Sequence, residues 1–209
     1  MNRQPVITIS REFGSGGREI GERIANELGI QYYDRKLIDI AAEQSGLSPD
    51  FIRDNEQKIT NSFLFNISVS GYYSGNAFAR DNLLPEDKLF LTQAKIIQDI
   101  ADREACVIVG RCADYILRKN SDCLNIFIYS DKESKIKRAV AEYGIDPAKA
   151  AGILDKQDKA RANHYNHYTG NTWGDKGNYH LCLHSGFLGA DKIVSMVVSL
   201  FRDEAASPR

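Results

Sequence analysis

Three glycines, Gly14, Gly16 and Gly17, stand in the segment SREFGSGGREIG between a β-branched run and a helix-forming stretch, with Arg11 before them and Arg18 after them. Glycine permits a tight turn and lets the backbone come close to an anion. A helix N-terminus directly behind such a turn offers free N–H groups and the positive end of the helix dipole. The backbone of Gly14, Ser15, Gly16, Gly17 and Arg18 is therefore predicted to cradle phosphate, although a glycine-rich strand-to-helix turn can also be purely structural.

The standard phosphate-loop pattern, G-x-x-x-x-G-K-[ST], is not met. With Gly16 as its second glycine, Arg11 replaces the first, Gly17 the lysine and Arg18 the Ser/Thr; this frame aligns the strand ITIS. With Gly17 as second glycine, Arg18 takes the lysine place and Glu19 the hydroxyl place. Both frames lose the hydroxyl that helps hold Mg²⁺, and both keep guanidinium groups at the loop. Arginine neutralises phosphate bidentately but does not copy the point charge and reach of lysine.

A second candidate is Arg111, which follows the apolar run ACVIV and Gly110. A charge at the carboxyl end of a core strand is costly unless paired, and that end is where open α/β sheets bind ligands. The alternative is a structural ion pair. His164 and His167 share a helix face, and His180, Cys182 and His184 share a strand face, spacings that suit zinc as well as plain packing. Without a further ligand cluster, no metal is predicted there.

Elements to position these residues follow from pattern. PVITIS is a strand, Ile20, Ile24, Ala25 and Leu28 recur at helical spacing until Gly29, and Ile30 to Tyr33 is a second strand. Helices are predicted from about Arg35 to Ser45 and from Ser48 onward, and residues 60–80 read as a flexible flap. Beyond them come a helix over Pro85 to Arg103, strands over Ala105 to Val109 and Cys123 to Tyr129, and a helix over Asp131 to Tyr143. A charged helix from Pro147 to about Tyr168, poor in core residues, is expected to project from the body as part of a lid over about 147–178. Tyr179 to Leu183 is a last strand, Gly189 to Phe201 a closing helix, and 203–209 a disordered tail. Apolar strands alternating with helices predict an α/β fold, a mostly parallel sheet covered on both faces, in one domain over 1–202.

Composition narrows the class further. The chain has 209 residues, enough for one substantial core, and its 27 basic and 28 acidic residues lack the charge excess of a general nucleic-acid binder. Any anion site must be built locally. No apolar run reaches bilayer length, and the start MNRQPVITIS lacks a signal-peptide stretch, which predicts a cytoplasmic protein with no membrane partner. The four cysteines, Cys106, Cys112, Cys123 and Cys182, lie in or beside apolar runs and read as buried thiols. Oligomeric state is left open.

The segments SREFGSGGREIG, YYDRKLI, VIVGRCADYIL and KQDKARANHYNHYTG, in this order, resemble the cytidylate kinase-like family, and the resemblance spans nearly the whole chain. It implies a three-layer, five-stranded parallel sheet of the phosphate-loop nucleoside monophosphate kinase type with a helical lid. It implies ATP and Mg²⁺ as cofactors, a nucleotide substrate, and transfer of the γ-phosphate to a nucleoside monophosphate, CMP or dCMP favoured. Tyr33 and Asp34 fall where such kinases begin the acceptor site, though Tyr33 can simply pack and Asp34 cap the next helix. Arg111 matches the Gly-Arg pair that holds the acceptor phosphate. Cys112 stands where the family carries an acid, with Asp114 two places on, and His184 where it often carries Asp. In the lid, Asp158 and Arg161 match an Asp-x-x-Arg element and Lys156 stands near a further expected arginine. The resemblance thus makes Arg18, Arg161 and Lys156 the catalytic candidates and Tyr33, Asp34, Arg111 and Asp158 the acceptor-binding ones. The missing lysine and Ser/Thr keep a rival open, a nucleotide-binding regulatory protein with impaired turnover, as well as a kinase for another small metabolite.

Overall fold

The computed structural model of the chain describes residues 5–34, 40 and 85–206. The helices expected over 35–45 and from Ser48, and the flap over 60–80, lie outside the described residues. The strand β1, Val6–Arg11, is the middle of the sheet, pairing in parallel with β3, Cys106–Val109, on one side and β4, Cys123–Tyr129, on the other. With β2, Gln31–Tyr33, and β5, Leu181–His184, it makes an all-parallel five-stranded sheet ordered β2-β3-β1-β4-β5.

Strand alternation divides the interior into two cores. Ile7 and Ile9 of β1, Val107 and Val109 of β3 and Ile126 and Ile128 of β4 face α1, Gly17–Leu28, and α7, Ala190–Ala206. The opposite face buries Val6, Cys106 and Ile108 under α2, Pro85–Arg103, and the short α3, Ala113–Ile116. Ile20 and Ile24 of α1 are fully buried, so truncating either to alanine should cost about 2–5 kcal/mol. This is the expected three-layer α/β architecture.

Helix ends obey local chemistry. Asp131 caps α4, Lys132–Tyr143, by accepting from Ser134 N–H, and Asp146 caps α5, Pro147–Thr169, with Pro147 in the first turn. Both helices stop at a left-handed glycine, Gly144 and Gly170, and the short α6, Ser185–Leu188, is capped by the His184 side chain.

Four expectations need correction. The helix α5 does not project: Leu154, Tyr165 and Tyr168 are buried, and the Tyr168 ring stacks on Phe90 at 4.2 Å between centroids. Tyrosine reads as polar in a sequence, yet its ring buries like any large apolar group. The last strand begins at Leu181, because Asp175 caps a 3₁₀ turn over Lys176–Asn178 that takes up the preceding residues. The closing helix α7 continues to Ala206, into the tail expected to be disordered. Burial of Val197, Val198 and Phe201 docks it, and no glycine or proline interrupts it before Pro208. Of the cysteines, Cys182 is exposed, on the edge strand β5.

Candidate functional site

The loop between β1 and α1 is fixed on both sides. Glu12 N–H donates to Ile128 O at 3.0 Å, and the Glu12 carboxylate accepts from Ser130 N–H at 3.2 Å and pairs with Lys135 Nζ at 3.0 Å. Ser15 Oγ donates to Glu12 O at 2.8 Å. Gly14 and Gly16 have φ of 79° and 76°, and a β-carbon on Gly14 would lie 2.8 Å from Lys135 O. These positions need glycine both for the left-handed backbone and for the approach of α4. Gly16 is the N-cap of α1 and supplies no side-chain cap, so the dipole and first-turn amides of α1 face the loop.

A second turn stands beside it. After β3, Gly110, Arg111 and Cys112 have φ of 79°, 59° and 54° in succession. For the two side-chain-bearing residues this backbone costs roughly 1–2 kcal/mol each, which the surrounding structure must offset. The turn aims Arg111 and Cys112 into a narrow cleft of about 50 Å³ shared with Ser10, Arg11, Arg161, His164, Tyr165 and Trp173. Three guanidinium groups therefore meet at the carboxyl ends of β1 and β3. Desolvation, then the charge of Arg161, brings Arg11 down to about 9, against the opposing pull of Asp34. Arg161 donates through Nη1 to Arg11 O at 3.0 Å, and its buried Nε has no partner among the described residues. Desolvation foremost lowers its pKa as well.

The remaining walls are neutral or already satisfied. His164 Nδ1 lies 3.7 Å from Cys112 Sγ; desolvation, then Arg111, holds the imidazole down to about 3, and desolvation pushes the thiol up. Both groups are uncharged at neutral pH. Asp114 is buried behind them, accepting from Tyr165 Oη at 2.7 Å and Ser10 Oγ at 3.4 Å, and desolvation raises its carboxyl.

The residues singled out in the sequence divide into two groups. Arg11, Arg111 and Arg161 converge on the cleft, beside the loop Gly14, Ser15, Gly16 and Gly17. Arg18 instead pairs with Asp34 at 2.9 Å, its side chain about half exposed. Tyr33 turns into the α2 core and donates to Glu104 at 2.7 Å. Lys156 is exposed and does not line the cleft. Asp158 is a fastening, accepting from Phe13 N–H at 2.6 Å and pairing with Lys135 at 3.1 Å. Sequence reasoning missed Lys135 and Arg138, which pack on Gly14 and Gly16, and the His164–Cys112 pair. A signal for the first two was present: basic residues three apart on the helix directly after β4 share one face.

A divalent cation does not suit these side chains. The loop position that usually carries its hydroxyl is Arg18, engaged with Asp34. Asp158 is held by Phe13 and Lys135, and Asp114 by Tyr165 and Ser10. Among the described residues no three His, Cys, Asp or Glu side chains are grouped to hold a metal, and the cleft itself is lined by guanidinium groups that repel one.

A parallel 2-3-1-4-5 sheet with a glycine loop after its central strand defines the phosphate-loop kinase class of fold. Solved structures agree. The chain is similar to an uncharacterised protein from Eubacterium ventriosum ATCC 27560 at 26% identity and TM-score 0.69, covering 95% of this chain and 99% of that one. It shares its fold with a gluconokinase from Sinorhizobium meliloti 1021, at 13% identity and TM-score 0.53 over 100% of both chains. A shikimate kinase from Acinetobacter baumannii, solved with shikimate, matches at 11% identity and TM-score 0.51 over 96% of this chain and 94% of that one. No curated protein matches the sequence significantly. The profile of the cytidylate kinase-like family matches residues 6–186, and the chain belongs to that family. Its family and fold are those of kinases for nucleotides and small metabolites. No helix among the described residues is long and apolar enough to cross a membrane.

Proposed function

We propose that this protein is a phosphotransferase that moves the γ-phosphate of ATP to a nucleoside monophosphate, with CMP or dCMP the favoured acceptor. The observation that carries this reading is the meeting of Arg11, Arg111 and Arg161 at the strand ends beside the glycine loop. Phosphoryl transfer asks for positioning and neutralisation of spread negative charge more than for a covalent nucleophile. The loop amides and Arg11 hold the donor phosphates, Arg111 grips the acceptor phosphate, and Arg161, carried on α5, stabilises the transferring group. The groove beside Gly14, lined by Ser134, Arg138, Ser185 and Gly186 and edged by the exposed ring of Phe187, receives the donor base. Incubating the protein with labelled ATP and a panel of CMP, dCMP, UMP, AMP and GMP tests the reading, and labelled diphosphate is the expected product. A second reading, nucleotide binding with impaired turnover, draws on the Arg18–Asp34 ion pair, which engages the loop cation closest to the lysine position. Nucleotide binding without any labelled product across the panel favours that second reading.

A further inference from the structure

Behind the cleft lies a larger space. Tyr165, whose side chain lines the cleft, also lines a cavity of about 680 Å³ beside the start of β4, and Asp114, the acceptor of its hydroxyl, stands on the same wall. That volume is within the range of sites for small organic ligands. Asn125 of β4 lines it while being only 8% exposed. Thr8 Oγ1 donates to Asn125 Oδ1 at 2.6 Å and Cys123 Sγ donates to the same oxygen at 3.2 Å. These two bonds fix the amide and leave its Nδ2 without a partner among the described residues. A buried donor left open on a cavity wall is costly unless a ligand or water meets it.

The rest of the lining continues the pattern. His180 Nδ1 accepts from Asn125 N–H at 3.0 Å, so the ring proton sits on Nε2 as a further donor. Asn178 Nδ2 donates to Thr172 O at 2.8 Å, which leaves its Oδ1 to accept. Hydroxyl groups, which donate and accept at once, suit such a mixture. Two exposed cations complete the lining, Arg118 and Lys119, neither of them paired with a carboxylate among the described residues. Arg118 is held in place: its Nη1 donates to Tyr115 O at 2.7 Å, and its guanidinium lies 4.0 Å from the centre of the Tyr115 ring. A cation fixed beforehand loses little freedom when an anion arrives. Two such charges match a phosphomonoester, which carries roughly two negative charges at neutral pH.

We propose that this cavity is a second ligand site, distinct from the cleft, and that it takes a phosphorylated sugar, the phosphate at Arg118 and Lys119 and the hydroxylated ring against Asn125, Asn178 and His180. The site stands independently of the nucleotide reading, because none of these five residues lines the cleft.

Isothermal titration calorimetry of the full chain with ribose 5-phosphate, ribose and inorganic phosphate tests this. Ribose 5-phosphate should bind with a Kd of about 1 mM or tighter, and at least about tenfold more tightly than either ribose or phosphate. Lys119→Glu, at an exposed position, should weaken it about fivefold or more. Asn125→Asp keeps an oxygen for Thr8 and replaces the open donor by an acceptor, so it should weaken binding about tenfold or more. A thermal melt shows whether that variant is folded, and where it is not, Lys119→Glu decides. Arg161→Met, in the cleft, should leave the affinity within about twofold. No binding of ribose 5-phosphate at about 10 mM, inorganic phosphate binding as tightly as the sugar phosphate, or an affinity kept in Lys119→Glu and lost in Arg161→Met, overturns the proposal.

Discussion

The carboxylate of Asp158, in the middle of α5, accepts a hydrogen bond of 2.6 Å from the backbone N–H of Phe13, so the long helix is fastened to the glycine loop by a main-chain amide. The same carboxylate pairs with Lys135, which also holds Glu12 of the loop. One acid thus ties three segments together. Asp158→Ala removes a charge-assisted bond and leaves the Phe13 amide and Lys135 without it. The expected loss is about 1–3 kcal/mol of unfolding free energy, read from urea denaturation. Hydrogen exchange at Phe13 should speed up in the variant, and unchanged exchange there would show that the fastening does not hold the loop.

Acid sensitivity should report on His164. Its folded pKa of about 3 lies below the unfolded value of 6.5, so the native state keeps the ring neutral. The unfolded chain then binds more protons between those two values. Stability from this residue is fully present above about pH 6.5 and is lost as pH falls toward 3, with a slope of at most about 1.4 kcal/mol per pH unit. Asp114 and Asp158, whose carboxyls are raised by burial, work in the opposite sense, being stabilising below the usual carboxylate range and less so as pH rises. A comparison isolates the histidine: His164→Gln should show a shallower fall in urea midpoint between pH 6.5 and 4 than the unaltered protein. Superimposable profiles would contradict the neutral, desolvated ring.

Gly110 should resist substitution. Its φ of 79° disfavours any side chain, and a β-carbon there would run into Nη1 of Arg11. Gly110→Ala is expected to cost about 1–2 kcal/mol from backbone strain and to displace the Arg11 guanidinium from the cleft. Binding of ATP or tripolyphosphate should therefore weaken in parallel with the thermal midpoint. A variant with lowered midpoint and full anion affinity would place Arg11 outside the binding group.

Phe187 offers the reverse pattern. At 84% exposure its ring contributes little to the fold, so Phe187→Ala should change stability by no more than about 0.5 kcal/mol. If the ring carries the donor base, nucleotide affinity should drop by roughly 0.5–1.5 kcal/mol while tripolyphosphate affinity stays the same. Equal affinities for ATP in both proteins would move the base elsewhere.

Much of this was legible in the sequence, and for local reasons. The glycine loop, the helix end at Gly29 and the Gly-Arg turn after β3 are all set by neighbouring residues, so spacing alone reveals them. What stayed hidden depends on residues far apart in the chain. Nothing near Arg18 announces that Asp34 will hold it, and nothing near Asp158 announces Phe13, 145 residues earlier. The docking of α5 was hidden for another reason: its anchors, Tyr165 and Tyr168, carry hydroxyls that find buried acceptors in Asp114 and Asp87. A pattern that counts tyrosine as half polar sees a solvated helix where the fold has a packed one.

The place of β1 in the middle of the sheet also governs how the chain can come together. It is made first, yet both its neighbours come much later: Thr8 bonds Asn125 across β4, 117 residues on. Bringing such distant segments together costs loop-closure entropy before any contact repays it, so folding is expected to be slow for the size of the chain. On the ribosome, the apolar run of β1 must wait for its sheet neighbours until β3 and β4 have been synthesised. During that interval its open edges can pair with other chains, which makes a holding chaperone or a low expression temperature the natural aid to obtaining this protein intact.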